Sequence, residues 1–423
     1  MRRSLSTMLT KDILMLGLGL EEPWKIIDQW FDTEKSPHEL HIRISAERGS
    51  SYPCPDCGKL CKAHDFREFT WRHLNFFQHH CYLTADVPRI KCDEHGVRRV
   101  NVPWARQGSS FTLLFEQAAM TLVREMPVSS AARIIEITDK RLWRIVEYYV
   151  GIAMSKLDLS TVAGIGLDET SFSGHNYITI FVDLDRSSRP VIFATPGKGK
   201  ECIREFKAHM QKHGGSPENV LEVVCDMSTS FIPGSKEHFQ EAEITVDWFH
   251  VVKLFTEALE KVRRTEQKHS GFPKSVRWAV LKGKEKVKTE RQQEALTFLE
   301  NSGFATATAY RIKELLRWIR HAKTAQGAKW RITHFIRHAE EQIVDNAQLK
   351  PVQKALNTFK EHADKIARRW VSNHTNARLE GLNSLFQAAK ARARGYRNER
   401  TFITMIYLIG APIDKLLQSM IKA

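Results

Sequence analysis

Residues 161–195 read TVAGIGLDETSFSGHNYITIFVDLDRSSRPVIFAT, and this stretch decides the fold. Short runs of apolar and β-branched residues predict strands at Thr161–Asp168, Tyr177–Asp185 and Pro190–Thr195. The polar residues Asp185–Arg189 predict a turn that joins the last two strands as a hairpin. Three strands therefore follow one another before the next helix.

Downstream, the pattern alternates between helix and strand. It predicts a helix at 202–212, a strand at 220–226, a short helical piece and a strand at 244–247. Residues 249–366 have helical periodicity, many charges and no strand signal, which indicates a helical insertion. Helices at about 375–391 and 401–421 complete a mixed α/β pattern.

Three carboxylates occupy matching places in this pattern. Asp168 ends the first predicted strand, Asp226 ends the fourth, and Glu380 lies on the helix at 375–391. If the two strands are neighbours in one sheet, both aspartates emerge at the same edge. Carboxylates suit hard cations, so we expect two Mg²⁺ ions here, with Mn²⁺ able to substitute. Glu169, which follows Asp168, is an alternative ligand.

The helix at 375–391 has two distinct faces. Asn376, Glu380, Asn383 and Gln387 follow the i, i+4, i+7 spacing and predict a polar face. The predicted apolar stripe beside it consists of Leu379, Leu382, Leu385 and Phe386. Glu380 can therefore point into a polar cleft while its helix packs on the sheet.

Near the N-terminus, residues 54–57 read CPDC, and residues 92–95 read CDEH. Two ligands at this spacing can reach one tetrahedral zinc ion, and a glycine after each pair permits the tight turn. The predicted ligands of this closed structural site, a zinc ribbon, are Cys54, Cys57, Cys92 and His95. The alternative set with the same gaps is Cys54, Cys57, Cys61 and His64.

Helical periodicity returns at 110–156, with breaks at 126–130 and 137–139, which predicts three helices with tight turns. The last two read as a helix-turn-helix motif, whose second helix enters the major groove of DNA. Its predicted outward residues are Lys140, Arg141 and Arg144. Its predicted inward residues are Leu142, Ile145 and Val146. An ordinary pair of packed helices is the alternative.

The overall charge favours a nucleic acid partner. Lys and Arg number 64 against 49 Asp and Glu, a net charge of +15, and such a surface neutralises phosphates. A basic segment, KARARGYRNER at 390–400, directly follows the Glu380 helix. Arginine can bind two phosphate oxygens, and tyrosine can stack on an unpaired base. The predicted DNA-binding residues of this segment are Arg392, Arg394, Tyr396 and Arg397.

These features together carry a resemblance. The order of three strands, helix, strand, helix, strand and a final acid-bearing helix resembles the ribonuclease-H-like core of DDE transposases. The segments GLDET at 166–170, CDMS at 225–228, VDWFHVVK at 246–253 and NARLEGLN at 376–383 resemble bacterial insertion-sequence transposases of the ISL-three group. That group also has a zinc ribbon and then a helix-turn-helix, so the resemblance spans about Cys54 to Leu417.

The resemblance implies a catalytic triad of Asp168, Asp226 and Glu380 that holds the two divalent ions. Asp247 and His250 match a D-x-x-H signature of related transposases, for which we expect a supporting role. The chain departs from the pattern at His95, where a cysteine is usual in the ribbon.

The implied reaction is Mg²⁺-dependent DNA strand cleavage by water, followed by strand transfer in which a 3′ hydroxyl attacks target DNA. The ribbon and helix-turn-helix would recognise the terminal repeats of the element. Because two ends must be paired, we expect a homo-oligomer, at least a dimer. Two alternatives remain: a non-catalytic DNA-binding regulator, and a nuclease of the same core that cuts without joining.

The predicted organisation therefore has five parts. An N-terminal helical segment at 1–39 comes first, followed by a zinc ribbon at 40–105 and a helix-turn-helix domain at 110–158. A ribonuclease-H-like catalytic core then occupies 160–253 and 368–423, and a helical insertion at 254–367 separates its two pieces.

Location follows from composition. Seven cysteines, an odd number of which five lie within residues 54–92, fit a metal site in a reducing compartment, so we expect a cytoplasmic protein. The resemblance implies that it is bacterial and associated with the nucleoid. Residues 13–20 after Arg2 and Arg3 faintly resemble a secretory signal, but Glu21 and Glu22 follow without a cleavage site. No apolar run approaches the roughly 20 residues of a membrane span.

Overall fold

The computed structural model describes residues 12–269, 275–282, 285, 287–344, 346–372, 374 and 376–422. The chain divides into two units, Met1–Tyr149 with Lys415–Ala423, and Val150–Asp414. Within the described ranges, no helix combines the length and the apolar character that crossing a membrane requires.

Alternating burial builds the sheet of the first unit. Leu83, Ala85 and Val87 are fully buried, whereas the residues between them are less so, as expected for one face of a sheet packed on a core. The strands are β1 (Trp24–Asp32), β2 (Glu39–Ala46), β3 (Ser51–Pro53), β4 (Leu60–Phe76), β5 (His79–Cys92) and β6 (Gly96–Arg99). Their order is β1-β2-β5-β4-β3, with β6 also paired to β5. β2 and β5 run parallel.

This sheet corrects two predictions. The expected N-terminal helical segment over 1–39 is wrong for the described part, because only residues 12–17 are helical and Trp24–Asp32 is a strand; residues 1–11 lie outside the described residues. The short β-like runs at 78–85 and 89–91 predict two separate strands, whereas the structure has one continuous strand, β5. The 17-residue strand β4 had no sequence signal, because much of it is charged and exposed.

Three helices follow the sheet, with breaks at the predicted positions. They are α1 (Leu113–Glu125), α2 (Val128–Ile134) and α3 (Asp139–Ser155). The Thr112 hydroxyl accepts a hydrogen bond from the Phe115 N–H and so caps α1. On α3 the expected inward residues Leu142, Ile145 and Val146 are buried, since they pack the helix-turn-helix together.

The second unit contains a five-stranded mixed sheet. Its elements in chain order are β7 (Gly164–Ser173), β8 (Asn176–Asp183), β9 (Val191–Pro196), α4 (Lys200–Lys212), β10 (Glu222–Cys225), α5 (Phe231–His238) and β11 (Glu243–Val246). The strand order is β11-β10-β7-β8-β9. β7, β8 and β9 pair antiparallel, whereas β10 and β11 run parallel to β7. The adjacent residues Ile180 and Phe181 are both fully buried, so both faces of this sheet are covered.

A helical region interrupts the core after β11. Its helices are α6 (Trp248–His269), α7 (Val276–Leu281), α8 (Glu290–Glu300), α9 (Ala305–Arg320), α10 (Ala325–Ile343), α11 (Lys350–Glu361) and α12 (Ala363–Ala367). The predicted boundary at 254 falls inside α6, because this helix begins directly after β11. Phe255, Phe335 and Phe359 form a buried aromatic centre with ring centroids 5.1–5.8 Å apart.

Three helices end the chain: α13 (Ala377–Arg392), α14 (Glu399–Gly410) and α15 (Asp414–Lys422). The single helix predicted at 401–421 is wrong, because α14 ends before Pro412 and α15 starts after it. A proline within a helix removes a backbone donor and clashes with the preceding turn.

One histidine joins three elements of the second unit. His374 precedes α13, and its Nδ1 lies 2.7 Å from Glu222 Oε2 on β10, while its Nε2 lies 2.9 Å from Asp185 Oδ1 after β8. Burial alone would lower the pKa of His374, but these two carboxylates raise it above its ordinary value of 6.5. Burial would raise the pKa of Glu222, but hydrogen bonds from Ser372, Thr245 and His374 lower it below 4.5.

The charged form of His374 should therefore stabilise the fold in a pH-dependent way. A raised folded-state pKa gives stability that is present below pH 6.5 and is lost as the pH rises through the folded value, while the contribution of Glu222 is lost only below pH 4.5. We expect His374→Ala to lower the thermal midpoint more at pH 5.5 than at pH 8.5 in calorimetry. The control is His338→Ala, an exposed histidine of α10. An equal loss at both pH values would contradict this assignment.

Candidate active site and metal sites

Three adjacent strands bring aspartates to one edge of the second sheet. Gly166 of β7 is in register with Val224 of β10, which is in register with Thr245 of β11. Asp168, Asp226 and Asp247 each lie two residues after these three positions. The parallel register therefore aligns three carboxylates at the carboxyl edge of these strands, where ligands bind in open α/β sheets.

Asp168 lies within β7, whereas the sequence predicted it at the end of that strand. β7 continues to Ser173 and pairs there with β8, where Asp168 is opposite Ile180. The parallel neighbour β10 stops at Cys225, so the Asp168 side chain still faces an open edge on that side.

The helix α13 adds Glu380 and fixes Asp168. Its described part begins at Asn376, and Thr375, the predicted start, lies outside the described residues. Asn383 Nδ2 donates to Asp168 Oδ2 at 2.9 Å, and Gln387 Nε2 donates to Thr170 Oγ1 at 2.8 Å. The predicted polar face of this helix thus contacts β7 through side-chain hydrogen bonds.

Asn376 ties the helix to two strands at once. Its Nδ2 donates to the Leu167 carbonyl of β7 and to the Val224 carbonyl of β10, each at 3.2 Å. Both carbonyls lie one or two residues before a site aspartate. A Cβ added to Gly166 would lie 2.4 Å from Asn376 Oδ1, so this approach requires a residue without a side chain.

The expected apolar stripe of α13 is only partly correct. Leu379 and Phe386 are fully buried, but Leu385 is 55% exposed. Contacts of the polar face with β7 rotate the helix so that Leu385 faces away from the core.

The tightest group of ligand atoms differs from the expected triad. One ligand atom each of Asp247, His250 and Glu380 lies within 4.8 Å of the others. His250 Nε2 also lies 3.6 Å from Asp168 Oδ1, which connects this group to the aspartate edge. The two residues expected only to support the site therefore lie at its centre.

Several oxygens of the site are buried without a hydrogen-bond donor. In the part of the chain that the structure describes, Asp247 Oδ2, Glu380 Oε1 and Asn383 Oδ1 have no partner. Buried acceptors normally find donors, and such oxygens cost free energy unless a cation or water satisfies them. Hard oxygen donors of this kind suit Mg²⁺.

The pKa values of the site carboxylates agree with cation binding. Burial is the main cause that raises the pKa of Asp168 to about 6, and burial followed by the neighbouring Asp247 raises the pKa of Glu380 to about 8. Burial and the charges of Asp168 and Glu169 raise the pKa of Asp226 as well. Crowded carboxylates of one sign disfavour ionisation, and a bound cation would remove that penalty.

An open cleft of about 720 Å³ is lined by Asp168, Asp226, His250 and Glu380. Residues of the wall that sequence analysis missed are Tyr177, Phe249, Lys253 and Ser384. Lys253 opposes the raised pKa values of Asp168 and Glu380 through its positive charge. It follows His250 by three residues on α6, a helical spacing that could have revealed it. Glu169 lines the same cleft.

In the first unit, four predicted zinc ligands come together. The ligand atoms of Cys54, Cys57, Cys92 and His95 all lie within 4.8 Å of one another. The Cys57 and Cys92 sulfurs are 3.8 Å apart, and the Cys92 sulfur is 3.6 Å from His95 Nδ1. Ligands of a tetrahedral zinc ion at 2.0–2.3 Å have about these separations.

Local structure favours this set over the alternative with Cys61 and His64. Gly96, directly after the pair Cys92 and His95, has φ +67°, a turn conformation that side chains rarely adopt. The Cys61 thiol instead contacts the Lys59 carbonyl at 3.5 Å. The His95 ring and backbone N–H groups lower the pKa of Cys92 to about 6, as a metal-binding thiolate requires.

The predicted DNA-binding residues differ in their surroundings. Lys140 and Arg144 are exposed on α3. Arg141 is exposed too, but it donates to the Ser110 hydroxyl at 3.0 Å and lies 4.3 Å from the centre of the Phe111 ring. Its reach toward a partner is therefore restricted.

In the basic segment at 390–400, Arg392 is the last residue of α13, and the predicted residues Arg392, Arg394 and Arg397 are all exposed. The Tyr396 ring stacks on Phe402 at 5.2 Å, and burial raises the pKa of its hydroxyl to about 12. The protein therefore occupies one face of the Tyr396 ring, and stacking of this residue on a base stays a prediction.

Comparisons with known proteins match successive parts of the chain. The zinc-finger of transposase IS204/IS1001/IS1096/IS1165 matches residues 51–95, the helix-turn-helix domain of transposase family ISL3 matches 100–150, and the ISL3 transposase DDE domain matches 165–406. The transposase for insertion sequence element IS1001 of Bordetella parapertussis is 26% identical, over 84% of this chain and 87% of its own length. The transposase for insertion sequence element IS1557 of Mycobacterium tuberculosis is 25% identical, over 92% and 93%.

The contact between Gly166 and Asn376 yields a stability prediction. We expect Gly166→Ala to lower the free energy of unfolding by about 1–3 kcal/mol, because a new methyl group would push the Asn376 amide away. Denaturant titration measures this loss. The matched control is Gly381→Ala on α13, where a Cβ meets nothing within 4 Å and helix propensity predicts a gain of about 0.5–1 kcal/mol. A neutral Gly166→Ala would show that the helix does not press on the sheet.

The thiolate cluster yields a second prediction. Purified protein should contain one zinc ion per chain, and Cys92→Ala should lose it because a three-ligand site binds zinc weakly. Zinc content is measured by a colorimetric chelator after unfolding. Cys81→Ala provides the control, since this buried cysteine lies on the same strand but outside the cluster. Retention of zinc by Cys92→Ala would argue against the assigned ligands.

Proposed function

This chain belongs to the ISL3 family of transposases, and from that premise we propose that it binds the terminal repeats of an insertion sequence, cleaves DNA there and transfers the strands to target DNA. The single observation that carries the catalytic part is the convergence of Asp168, Asp226, Asp247 and Glu380 on one edge of the sheet, where Asp247 Oδ2 and Glu380 Oε1 are buried and find no donor among the described residues. A bound cation would satisfy these oxygens.

We propose that Asp168, Asp226 and Glu380 bind two Mg²⁺ ions, with Asp247 and His250 in direct support. When bound, the cations would neutralise phosphate charge and lower the pKa of the attacking water or 3′ hydroxyl. The acceptor-rich composition of the cleft fits this chemistry, and Mn²⁺ has a similar preference for oxygen ligands.

The protein residues around the carboxylates hold them in place. Asn383 orients Asp168 through its hydrogen bond, and Asn376 fixes the spacing between the Asp168 and Asp226 strands. Lys253 lies in the cleft wall, where its ammonium can contact a DNA phosphate while it offsets the carboxylate charge. Both tasks require that the helix α6 stay docked beside β11.

We propose that the remaining predicted contacts position the DNA. Lys140, Arg141 and Arg144 of α3 would contact the terminal repeat, and the zinc ribbon would hold its own fold through zinc. Arg392 ends the Glu380 helix, Arg394 and Arg397 follow it, and all three suit the DNA backbone near the scissile phosphate. Pairing of two element ends requires at least a dimer, which acts in the cytoplasm on nucleoid DNA.

The test incubates the full chain with Mg²⁺ and a plasmid that carries its gene with flanking DNA, and maps the ends. We expect cleavage at the flanks, reduced about 10³-fold or more by Glu380→Gln, because a neutral amide would hold poorly the cations that stabilise charge developing during the reaction. Asp247→Asn should cause a comparable loss if Asp247 belongs to the centre. Glu201→Gln on α4, outside the cleft, is the control.

The outcomes separate the alternatives. Specific binding of the flanks without cleavage in Mg²⁺ or Mn²⁺ would indicate a non-catalytic regulator. Cleavage without joined products in the presence of target DNA would indicate a nuclease of the same core. Full activity of Glu380→Gln would remove Glu380 from the proposed triad.

A further inference from the structure

Two tryptophans lie side by side on the surface of the helical insertion. Trp318 of α9 is 37% exposed, and Trp330 of α10 is 55% exposed, with ring centroids 5.6 Å apart. The His334 ring is 3.9 Å from Trp330, and the Arg331 guanidinium lies 5.2 Å from the Trp318 ring. We call Trp318, Trp330, Arg331 and His334 the tryptophan patch.

The patch is held in a fixed arrangement. Arg331 donates to the Trp318 carbonyl, and His334 Nδ1 lies 2.9 Å from the Trp330 carbonyl. Large aromatic rings on a surface usually mark a binding site, because they leave apolar area in water. A ring that is already oriented loses little entropy when a planar ligand stacks on it.

The charge around the patch identifies the ligand class. Residues 315–339 contain six Lys or Arg residues and no Asp or Glu. The six are Arg317, Arg320, Lys323, Lys329, Arg331 and Arg337. Aromatic rings within a positive surface are the combination that binds single-stranded nucleic acid, since bases stack on the rings and phosphates meet the cations.

The patch is also connected to the candidate active site. The turn between α9 and α10 is anchored by Trp370, whose Nε1 donates to the Ala322 carbonyl at 2.9 Å. The Trp370 ring packs against Trp248 at 5.6 Å, and Trp248 directly follows Asp247. A DNA strand bound at the patch would therefore contact helices whose connecting turn is linked, through Trp370 and Trp248, to the residue next to Asp247.

We propose that the tryptophan patch binds unpaired DNA, as a stacking platform for the bases of a strand that leaves the cleavage site. This inference rests on the proposed function for its biological setting, but the binding itself needs no catalysis. A symmetric contact between two copies through this patch is disfavoured, because it would place two surfaces rich in Lys and Arg against each other.

The test measures fluorescence anisotropy of a labelled oligothymidylate of about 12 nucleotides and of a blunt duplex, with the full chain and without divalent cations. We expect the double variant Trp318→Ala/Trp330→Ala to weaken single-strand binding by about tenfold to a hundredfold and to leave duplex binding within about twofold. Trp318→Phe/Trp330→Phe should retain most of the affinity. Trp278→Ala is the matched control, since Trp278 is 58% exposed on α7 of the same insertion.

Circular dichroism verifies that each variant is folded, and light scattering reports the oligomeric state. An equal loss for both DNA forms, or no loss for either, would overturn the stacking role. A changed oligomeric state with unchanged DNA affinity would identify the patch as a subunit contact and would also overturn it. If the wild type cleaves DNA and the double variant binds single strands normally, this inference alone is refuted. If the wild type does not cleave DNA but the variants show the expected binding pattern, the proposed function alone is refuted.

Discussion

The close packing of the Asn376 amide against Gly166 sets the geometry of the whole aspartate edge. Asn376 reaches the carbonyls of Leu167 and Val224 only because Gly166 leaves room for it. This contact fixes the height of α13 above the sheet and therefore the position of Glu380, which lies one helical turn further along. The acids of the two strands and of the helix converge because a single side chain spans all three elements.

The cost of this convergence lies in electrostatics. Burial and the neighbouring Asp247 raise the pKa of Glu380, and the oxygens of Asp247 and Glu380 that have no partner among the described residues add desolvation. The surrounding fold tolerates this because its strands are buried on both faces and because His374, just before the helix, contacts Glu222 and Asp185 at the opposite end of the strands. Raised pKa values of this kind are typical of sites that bind a cation or substrate.

Sequence patterns predicted β8 to β11 within two residues, because these strands are short, apolar and separated by polar turns, whereas β7 continues five residues past its predicted end at Asp168. They also predicted that Asp168, Asp226 and Glu380 lie together, and all three line one cleft. They failed at β1 and β4, whose exposed charged residues have no clear period, and at Leu385, whose surroundings depend on tertiary packing. The central position of Asp247 and His250 was not predictable either, since it follows from the register between β10 and β11.

The order of the acids along the chain also separates them in time. Glu380 follows Asp247 by 380 − 247 = 133 residues, because the helical insertion lies between them. At a synthesis rate of about 5–20 residues per second, roughly 7–27 s pass between their emergence from the ribosome. A nascent chain that has already formed its ribbon, its helix-turn-helix and the aspartate edge still lacks the Glu380 carboxylate. The proposed metal site is therefore completed only after the whole helical insertion has been synthesised.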